Sequence, residues 1–342
     1  MTLVGRVVRA PPAAVAAAVA FLPVLYLAVG GGLFAAWVVV PDRRAVPAML
    51  SVVILAGAAL WGPSWSAQGI EAEGVSVRVL TWNLRRLWGG PADAGDPLAC
   101  AVRTIEEEDP DVLALLEVSA HDVAALEEAL SMRCVHHPYL STSGPRRGGL
   151  AACARGGWTL KSGSGQRFVD DEDWYYVAAE VQQGHGVINL LAVHLYPYEY
   201  VAKRLRTGVG GLAQGDPNVL RDLQRQSTAV VKGQSDQSAA LLHRVARFSD
   251  PTVVAGDFNS TRDAALHGAL RGLLTDAWER GGHGFGGTVE LFDWLPLRID
   301  YVYATEQLTV ARAEVPDAGC SDHLPVLADL ILTPAPPEAP PR

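Results

Sequence analysis

The chain has 342 residues and a formal net charge of −9 at neutral pH. The charge is uneven: residues 1–70 hold four arginines against one aspartate, a net of +3, which leaves −12 for the remainder. So acidic a C-terminal portion repels a nucleic-acid backbone unless metal ions or a local basic loop compensate, which disfavours a nucleic-acid ligand, and the length suits one large α/β domain plus an extra segment.

Residues 1–63 read as a membrane segment. Ala13–Val40 is uncharged and apolar apart from its glycines and Pro23, and Ala45–Trp61 is a second uncharged stretch. Both suit the ~20 residues that cross a bilayer. The first is too long for a cleaved signal peptide and is succeeded by another hydrophobic run. Arg6 and Arg9 favour a cytoplasmic N-terminus, while Arg43 and Arg44 before the second stretch, with Glu71 and Glu73 after it, favour export of the C-terminal domain. A first stretch that turns back near Pro23 or Gly30-Gly31-Gly32 reconciles the two and gives two or three hydrophobic helices. The expectation is a multi-pass protein of the cell membrane with its C-terminal domain on the extracytoplasmic side.

Ser64–Gly74, small and glycine-bearing, reads as a linker across residues 64–74. Val75–Trp82 then alternates like a strand and delivers Asn83 at its end. Leu98–Glu108 has helical spacing and stops at Asp109-Pro110, and Asp111–Leu116 is an apolar strand closed by Glu117. Asp122–Leu130 is helical; Gly148–Arg155 and Trp174–Val181 are strands. Gly186–Val193 presents His194 at its tip. Tyr196–Gln237 is longer than an ordinary connection and bears Lys203, Arg204, Arg206, Arg221 and Arg225. Gln224–Phe248 is helical and leads into the strand Thr252–Ala255, with Asp257 and Asn259 just beyond. Asp263–Glu279 is helical, Arg298–Tyr303 is a strand containing Asp300, and Pro325–Leu332 is the last strand, preceded by Asp322 and His323. The proline-rich tail, 333–342, reads as disordered. Residues 75–332 therefore form one domain in which strands alternate with helices but also succeed one another directly, a pattern of sheet layers covered by helices.

Four cysteines, Cys100, Cys134, Cys153 and Cys320, lie in that domain without the spacing of a zinc site. A Cys134–Cys153 disulfide between successive strands and four buried free thiols are both compatible with the sequence.

The chemistry-bearing residues are Asn83, Glu117, His194, Asp257, Asn259, Asp300, Asp322 and His323, each beside a strand end. Phosphoester hydrolysis needs a cation for the phosphoryl oxygens, a group that activates or orients water, and donors for the transition-state charge. Glu117 is the first metal-ligand candidate and Asp322 the second, with the Asn83 amide beside them. Hard oxygen donors without thiols suit Mg²⁺ or Mn²⁺. His323, oriented by Asp300, serves either as general base or as a phosphate-stabilising cation. Asp257 positions water, Asn83 and Asn259 are neutral donors, and His194 meets a non-bridging oxygen. Singly, each of these has an ordinary reading as a cap or an Asx turn; together they agree in type, order and placement. His136, His137, His185, His243, His267 and His283 lack that placement and read as surface or packing residues.

Thr81-Trp82-Asn83, Leu115-Leu116-Glu117, Val193-His194-Leu195, Gly256-Asp257-Phe258-Asn259, Arg298-Ile299-Asp300-Tyr301 and Ser321-Asp322-His323-Leu324-Pro325 resemble, in order, the motifs of the endonuclease/exonuclease/phosphatase superfamily. The resemblance spans residues 75–332. It implies an α+β fold, a four-layer DNase I-like sandwich of two mostly antiparallel sheets flanked by helices, and a divalent-metal phosphoesterase with the roles just given. Gly149-Leu150-Ala151-Ala152 resembles the family's glycine-led central strand, and Arg225-Gln226 resembles an arginine and glutamine on its intervening helix, which implies a substrate-binding role for Arg225. The hydrophobic N-terminus is similar to that of the membrane-anchored bacterial branch that includes teicoplanin-resistance proteins, which implies a lipid-linked phosphate or pyrophosphate, such as a polyprenyl carrier. Tyr196-Pro197-Tyr198-Glu199-Tyr200 with Lys203, Arg204 and Arg206 adds interfacial aromatics and head-group cations. A metal-dependent deoxyribonuclease and a catalytically silent membrane scaffold are the competing readings.

Overall fold

A computed structural model describes residues 73–87, 96–139, 148–169, 175–197, 217–291 and 295–333, with isolated positions before residue 73. Most of the two hydrophobic stretches, Lys203, Arg204 and Arg206 of the basic loop, and the tail beyond residue 333 lie outside the described residues. Among the described residues no helix is long and apolar enough to cross a membrane.

In chain order the main elements are β1 (Ser64–Trp65), β2 (Val75–Asn83), α1 (Pro97–Glu108), β3 (Val112–Leu116), α2 (Ala120–Leu130), β4 (Arg133–Pro138), β5 (Gly149–Ala154), β6 (Thr159–Arg167), β7 (Tyr175–Gln183) and β8 (Gly186–His194). After them come α3 (Pro217–Val245), β9 (Thr252–Asp257), α4 (Ala265–Arg271), β10 (Thr275–Asp276), α5 (Ala277–Gly281), β11 (His283–Gly284), β12 (Val289–Leu291), β13 (Leu295–Leu297), β14 (Asp300–Ala304), β15 (Leu308–Glu314) and β16 (Val326–Leu332).

Local chemistry explains the helix boundaries. Asp96 caps α1 by accepting the Leu98 N–H, with Pro97 at the first helical position where its missing N–H costs nothing. Ser119 and Asp122 form a reciprocal capping box at the start of α2. The single helix expected over 263–279 is instead two. Gly272 caps the end of α4, and Asp276, accepting from Trp278 and Glu279, starts α5 afresh.

Two six-stranded sheets stack on each other, one in the order β15-β16-β2-β3-β5-β4 and the other β10-β14-β9-β8-β7-β6. Each is antiparallel except for one central parallel pair, β2/β3 and β8/β9. A parallel pair needs a crossover, which α1 and α3 supply. The strands alternate: Val77, Val79, Val112, Ala114 and Leu116 of the first sheet share the inter-sheet core with Val177, Leu190, Ala192, Val253 and Val302 of the second. The opposite faces carry Leu80, Trp82, Leu113 and Leu115 against α1 and α2, and Leu191, Val193, Val254 and Tyr303 against α3 and α4. Helix, sheet, sheet, helix is the expected sandwich.

Strand β6 is polar and escapes pattern recognition; Gly163 and Gly165 there let β4 side chains in, because a Cβ at Gly165 would lie 2.2 Å from His137 Cγ. Within the linker, Ser64 pairs with Gly284 and Trp65 with His283. All four cysteines are bonded, Cys100 to Cys320 and Cys134 to Cys153. The first closes α1 onto the residue that precedes Ser321-Asp322-His323.

Candidate active site

Both parallel pairs end at the same edge. Asn83 lies opposite Leu116, so Glu117 comes at the next position. In the second sheet Asp257 is flanked by His194 on one side and Asp300 on the other. This convergence of strand C-termini is where open α/β layers place ligands. Gly256 makes it possible: its φ is 152°, and a Cβ there would sit 1.8 Å from the Val193 carbonyl oxygen.

Asp257 is the hub. Its Oδ2 accepts from Asn83 Nδ2 at 3.1 Å and lies 3.5 Å from His194 Nε2 and 3.9 Å from His323 Nε2. Asn83 Nδ2 also reaches Glu117 Oε1 at 3.3 Å, so one amide joins two carboxylates of different sheets. His323 Nδ1 meets Asp300 Oδ2 at 2.9 Å. Trp82 Nε1 donates to the His323 carbonyl at 2.8 Å, and Ser321 Oγ donates to the Asn83 carbonyl at 2.8 Å, tying the last motif to the first.

Burial and the neighbouring Asp300 carboxylate push the Asp257 carboxyl up to about 6 against the pull of His323 and His194. Burial works against charge on His323, but the Asp300 charge and hydrogen bond, with Asp257 and Asp322, outweigh it and hold the imidazole up to about 10. The pair is therefore an imidazolium facing carboxylates.

The other expected residues surround this hub at varying distance. Asn259 has φ 49°, its N–H donates to Asp257 Oδ1 at 2.7 Å, and its Nδ2 donates to the Leu195 carbonyl at 2.9 Å. It thus locks the Asp257 turn to the segment after His194. Asp322 lies on the rim, about half exposed, and pairs with Arg85, outside the buried cluster. Arg225 lies on α3, with its side chain outside the described residues.

Several contributors carry no motif. Gln234 Nε2 donates to the carbonyls of Tyr196, Phe258 and Asn259, each at 3.3 Å, while Gln237 Oε1 accepts the Tyr196 N–H at 2.8 Å. Their one sequence signal is polarity on the helical stripe that continues as Leu241 and Val245. Thr288 Oγ1 accepts from Ile299 and Asp300 and holds the start of β14. Tyr139 OH lies 2.6 Å from His194 Nδ1. No periodicity points to it.

The donor set fits a hard divalent cation. Asp257, Asp300 and His323 each bring a ligand atom within 4.8 Å of the others, and Asp300 Oδ1 is buried without a hydrogen-bond partner. Crowded carboxylates with an orphaned oxygen gain from positive charge. Within that trio the Asp300–His323 hydrogen bond occupies Nδ1, and the Glu117 carboxylate, joined to Asp257 through the Asn83 amide, adds a further oxygen donor beside it.

Two stacked mixed sheets with carboxylates, an amide and imidazoles at their central strand ends define a DNase I-like α+β sandwich. The chain belongs to the endonuclease/exonuclease/phosphatase family, whose model matches residues 80–323. Among solved structures, an endonuclease/exonuclease/phosphatase from Beutenbergia cavernae is 23% identical with a TM-score of 0.56, over 77% of this chain and 73% of that one. A family protein from Bacteroides vulgatus is 16% identical with a TM-score of 0.56, over 75% and 99%. The human Nocturnin catalytic domain with bound sulfate anion is 16% identical with a TM-score of 0.52, over 76% and 97%. At these identities the likeness establishes the fold. No curated protein matches the chain.

Proposed function

We propose that the protein is a divalent-metal-dependent phosphoesterase, held at the cell membrane by residues 1–63, that hydrolyses a lipid-linked phosphate or pyrophosphate on the extracytoplasmic side. The observation that carries the chemistry is the placement of Asp257: a buried carboxylate within 3.5 Å of His194 Nε2 and 3.9 Å of His323 Nε2, and bonded to Asn83. Near neutral pH such a carboxylate takes the proton of an attacking water. The His323 imidazolium and the His194 Nε2 edge answer the charge that grows on the phosphoryl oxygens. Asn83 fixes the Glu117 and Asp257 carboxylates, and Asp300 orients His323.

Glu117, with Asn83 and Asp322, would hold Mg²⁺ or Mn²⁺, which when bound neutralises phosphoryl charge and positions the ester. Releasing Asp322 from Arg85 would free that cation for a substrate phosphate.

Two disulfides and no free cysteine among the described residues support an oxidising compartment. The uncharged stretches 13–40 and 45–61 support a tether, which concentrates a lipid substrate at the site and does nothing for DNA. The test is phosphate release by the full-length, detergent-solubilised protein from polyprenyl pyrophosphate, phospholipid head groups and inositol phosphates, with plasmid DNA in parallel and Mg²⁺ or EDTA added. Release from the lipid alone, abolished by EDTA, is the expected result. Plasmid nicking without lipid turnover would make the protein a nuclease, and EDTA-insensitive turnover would remove the metal. A reporter fused after Arg342 reads the sidedness.

A further inference from the structure

We propose that Tyr139 is a positioning residue for His194, its phenol holding the imidazole in the tautomer that carries its hydrogen on Nε2, the nitrogen facing Asp257 and the reacting group. The inference rests on the phosphoesterase reading for its consequence, though not for its geometry.

A neutral imidazole has one donor nitrogen and one acceptor nitrogen, and the partner of one decides the other. Tyr139 OH sits 2.6 Å from His194 Nδ1, and Asp257 Oδ2 sits 3.5 Å from Nε2. If Nδ1 carried the hydrogen and donated to the phenol oxygen, the Nε2 lone pair would face a carboxylate oxygen. If the phenol donates to Nδ1, the Nε2–H faces that oxygen instead. The carboxylate, an acceptor, selects the second form, and the phenol holds it by donating to Nδ1, which leaves His194 a hydrogen donor at the reacting edge. Both residues are buried, so water does not compete for the bond.

The phenol comes from the opposite sheet. Tyr139 directly succeeds β4 at the edge of the first sheet, whereas His194 ends β8 in the second. Its backbone is pinned where the Tyr139 N–H donates to the Gly148 carbonyl at 2.9 Å. Beside it, Gly149 approaches so closely that a Cβ would lie 2.3 Å from the His137 carbonyl oxygen. The Tyr139 ring packs in the inter-sheet core. The hydroxyl is thus aimed by two sheets at once, a placement that a flexible surface tyrosine cannot keep.

The experiment is Tyr139→Phe in full-length, detergent-solubilised protein, with bis(4-nitrophenyl) phosphate and Mg²⁺ as the probe and selectively ¹⁵N-histidine-labelled protein for spectroscopy. Phe keeps the ring and its packing and removes only the hydrogen bond. The expected result is a kcat about ten- to a hundredfold lower with KM unchanged, because the lost effect sits on a group that acts in the transition state. In the parent, the His194 resonances, assigned by their loss in His194→Asn, show the hydrogen on Nε2; in Tyr139→Phe they move towards a mixture. Parental kcat in Tyr139→Phe, or a parent imidazole with its hydrogen on Nδ1, would overturn the proposal. A parent that hydrolyses no phosphoester fails the phosphoesterase reading instead, and the tautomer spectra still decide the role of Tyr139.

Discussion

Two buried polar clusters sit on the second sheet only two residues apart along β14 and its approach, and they handle charge in opposite ways. In one, Arg298 Nη1 meets Asp276 Oδ1 at 2.8 Å and stacks over the Tyr301 ring. Burial works against the guanidinium charge there, but the Asp276 carboxylate overrides it and holds Arg298 above its ordinary range. Burial, reinforced by Arg298, pushes the neighbouring His267 down to about 3, and the neutral ring bonds Tyr303 OH at 2.8 Å and Ser260 Oγ at 3.0 Å. In the other cluster Asp257 and Asp300 crowd together and His323 is charged. Opposite charges matched in place build a scaffold; like charges held side by side leave a site that gains from a cation and a substrate.

The sharpest break of this comparison is a change at the crowded cluster. Asp257→Asn or His323→Ala should lower turnover on the order of 10²–10⁴-fold, while the thermal midpoint of Asp257→Asn stays at or above that of the parent because a buried carboxylate repulsion is gone. A variant that unfolds at room temperature would make Asp257 part of the scaffold.

At the matched cluster the expectation reverses. Arg298→Met strands Asp276 in the interior and should cost about 3–5 kcal/mol of stability, read by denaturant unfolding, with activity falling only as the fold does. The two disulfides extend the contrast along the chain. Replacing Cys100 and Cys320 by Ala opens a loop with a sequence separation of 220, whereas Cys134 and Cys153 are separated by 19. The first pair should cost about 4 kcal/mol or more and the second about 3 kcal/mol; only the first should also slow turnover, since Cys320 anchors the His323 segment. Equal kinetic effects from the two pairs would dissolve that distinction.

The last effect is in acid. His267 is held at about 3 in the folded protein against an ordinary 6.5, so between those values the unfolded chain binds the proton that the folded chain refuses. The His267 contribution is full above about 6.5 and is lost as pH falls towards about 3, by roughly 1.4 kcal/mol per unit. His267→Gln, which cannot take up that proton, should flatten this stretch of the stability profile. An unchanged acid limb would mean that His267 is charged in the fold.

Much of the site was legible because strand-end residues are local signals. An apolar run capped at once by Asn83, Glu117, His194 or Asp257 needs no distant partner to be noticed, and the sheet does place these positions side by side. Asp322 was legible as a motif residue, yet its Arg85 partner was not, since nothing in the sequence joins positions 85 and 322. On α3 the Arg225 side chain lies outside the described residues, and Gln234 and Gln237, farther along the helix, reach the site's backbone without having been legible in the sequence. A helix's register against a sheet is decided by packing, and amides on a buried stripe look like surface residues in sequence. Strand β6 failed for a related reason: glycines and polar residues erase the alternation, and its pairing with β7 supplies the missing reason to extend.

The order of the strands' chemistry, the existence of an apolar N-terminal segment and the membership of the motif set are all written in the sequence, because burial patterns and strand-end residues are spelled out over a few neighbours. That Asp257 is the hub, that Tyr139 reaches His194 from the other sheet, and that Cys100 pairs with Cys320 emerge only in three dimensions. These depend on two sheets stacking and two parallel pairs ending at one edge. That is a contact between residues far apart in the chain, and its energy arises only when the core between them has formed.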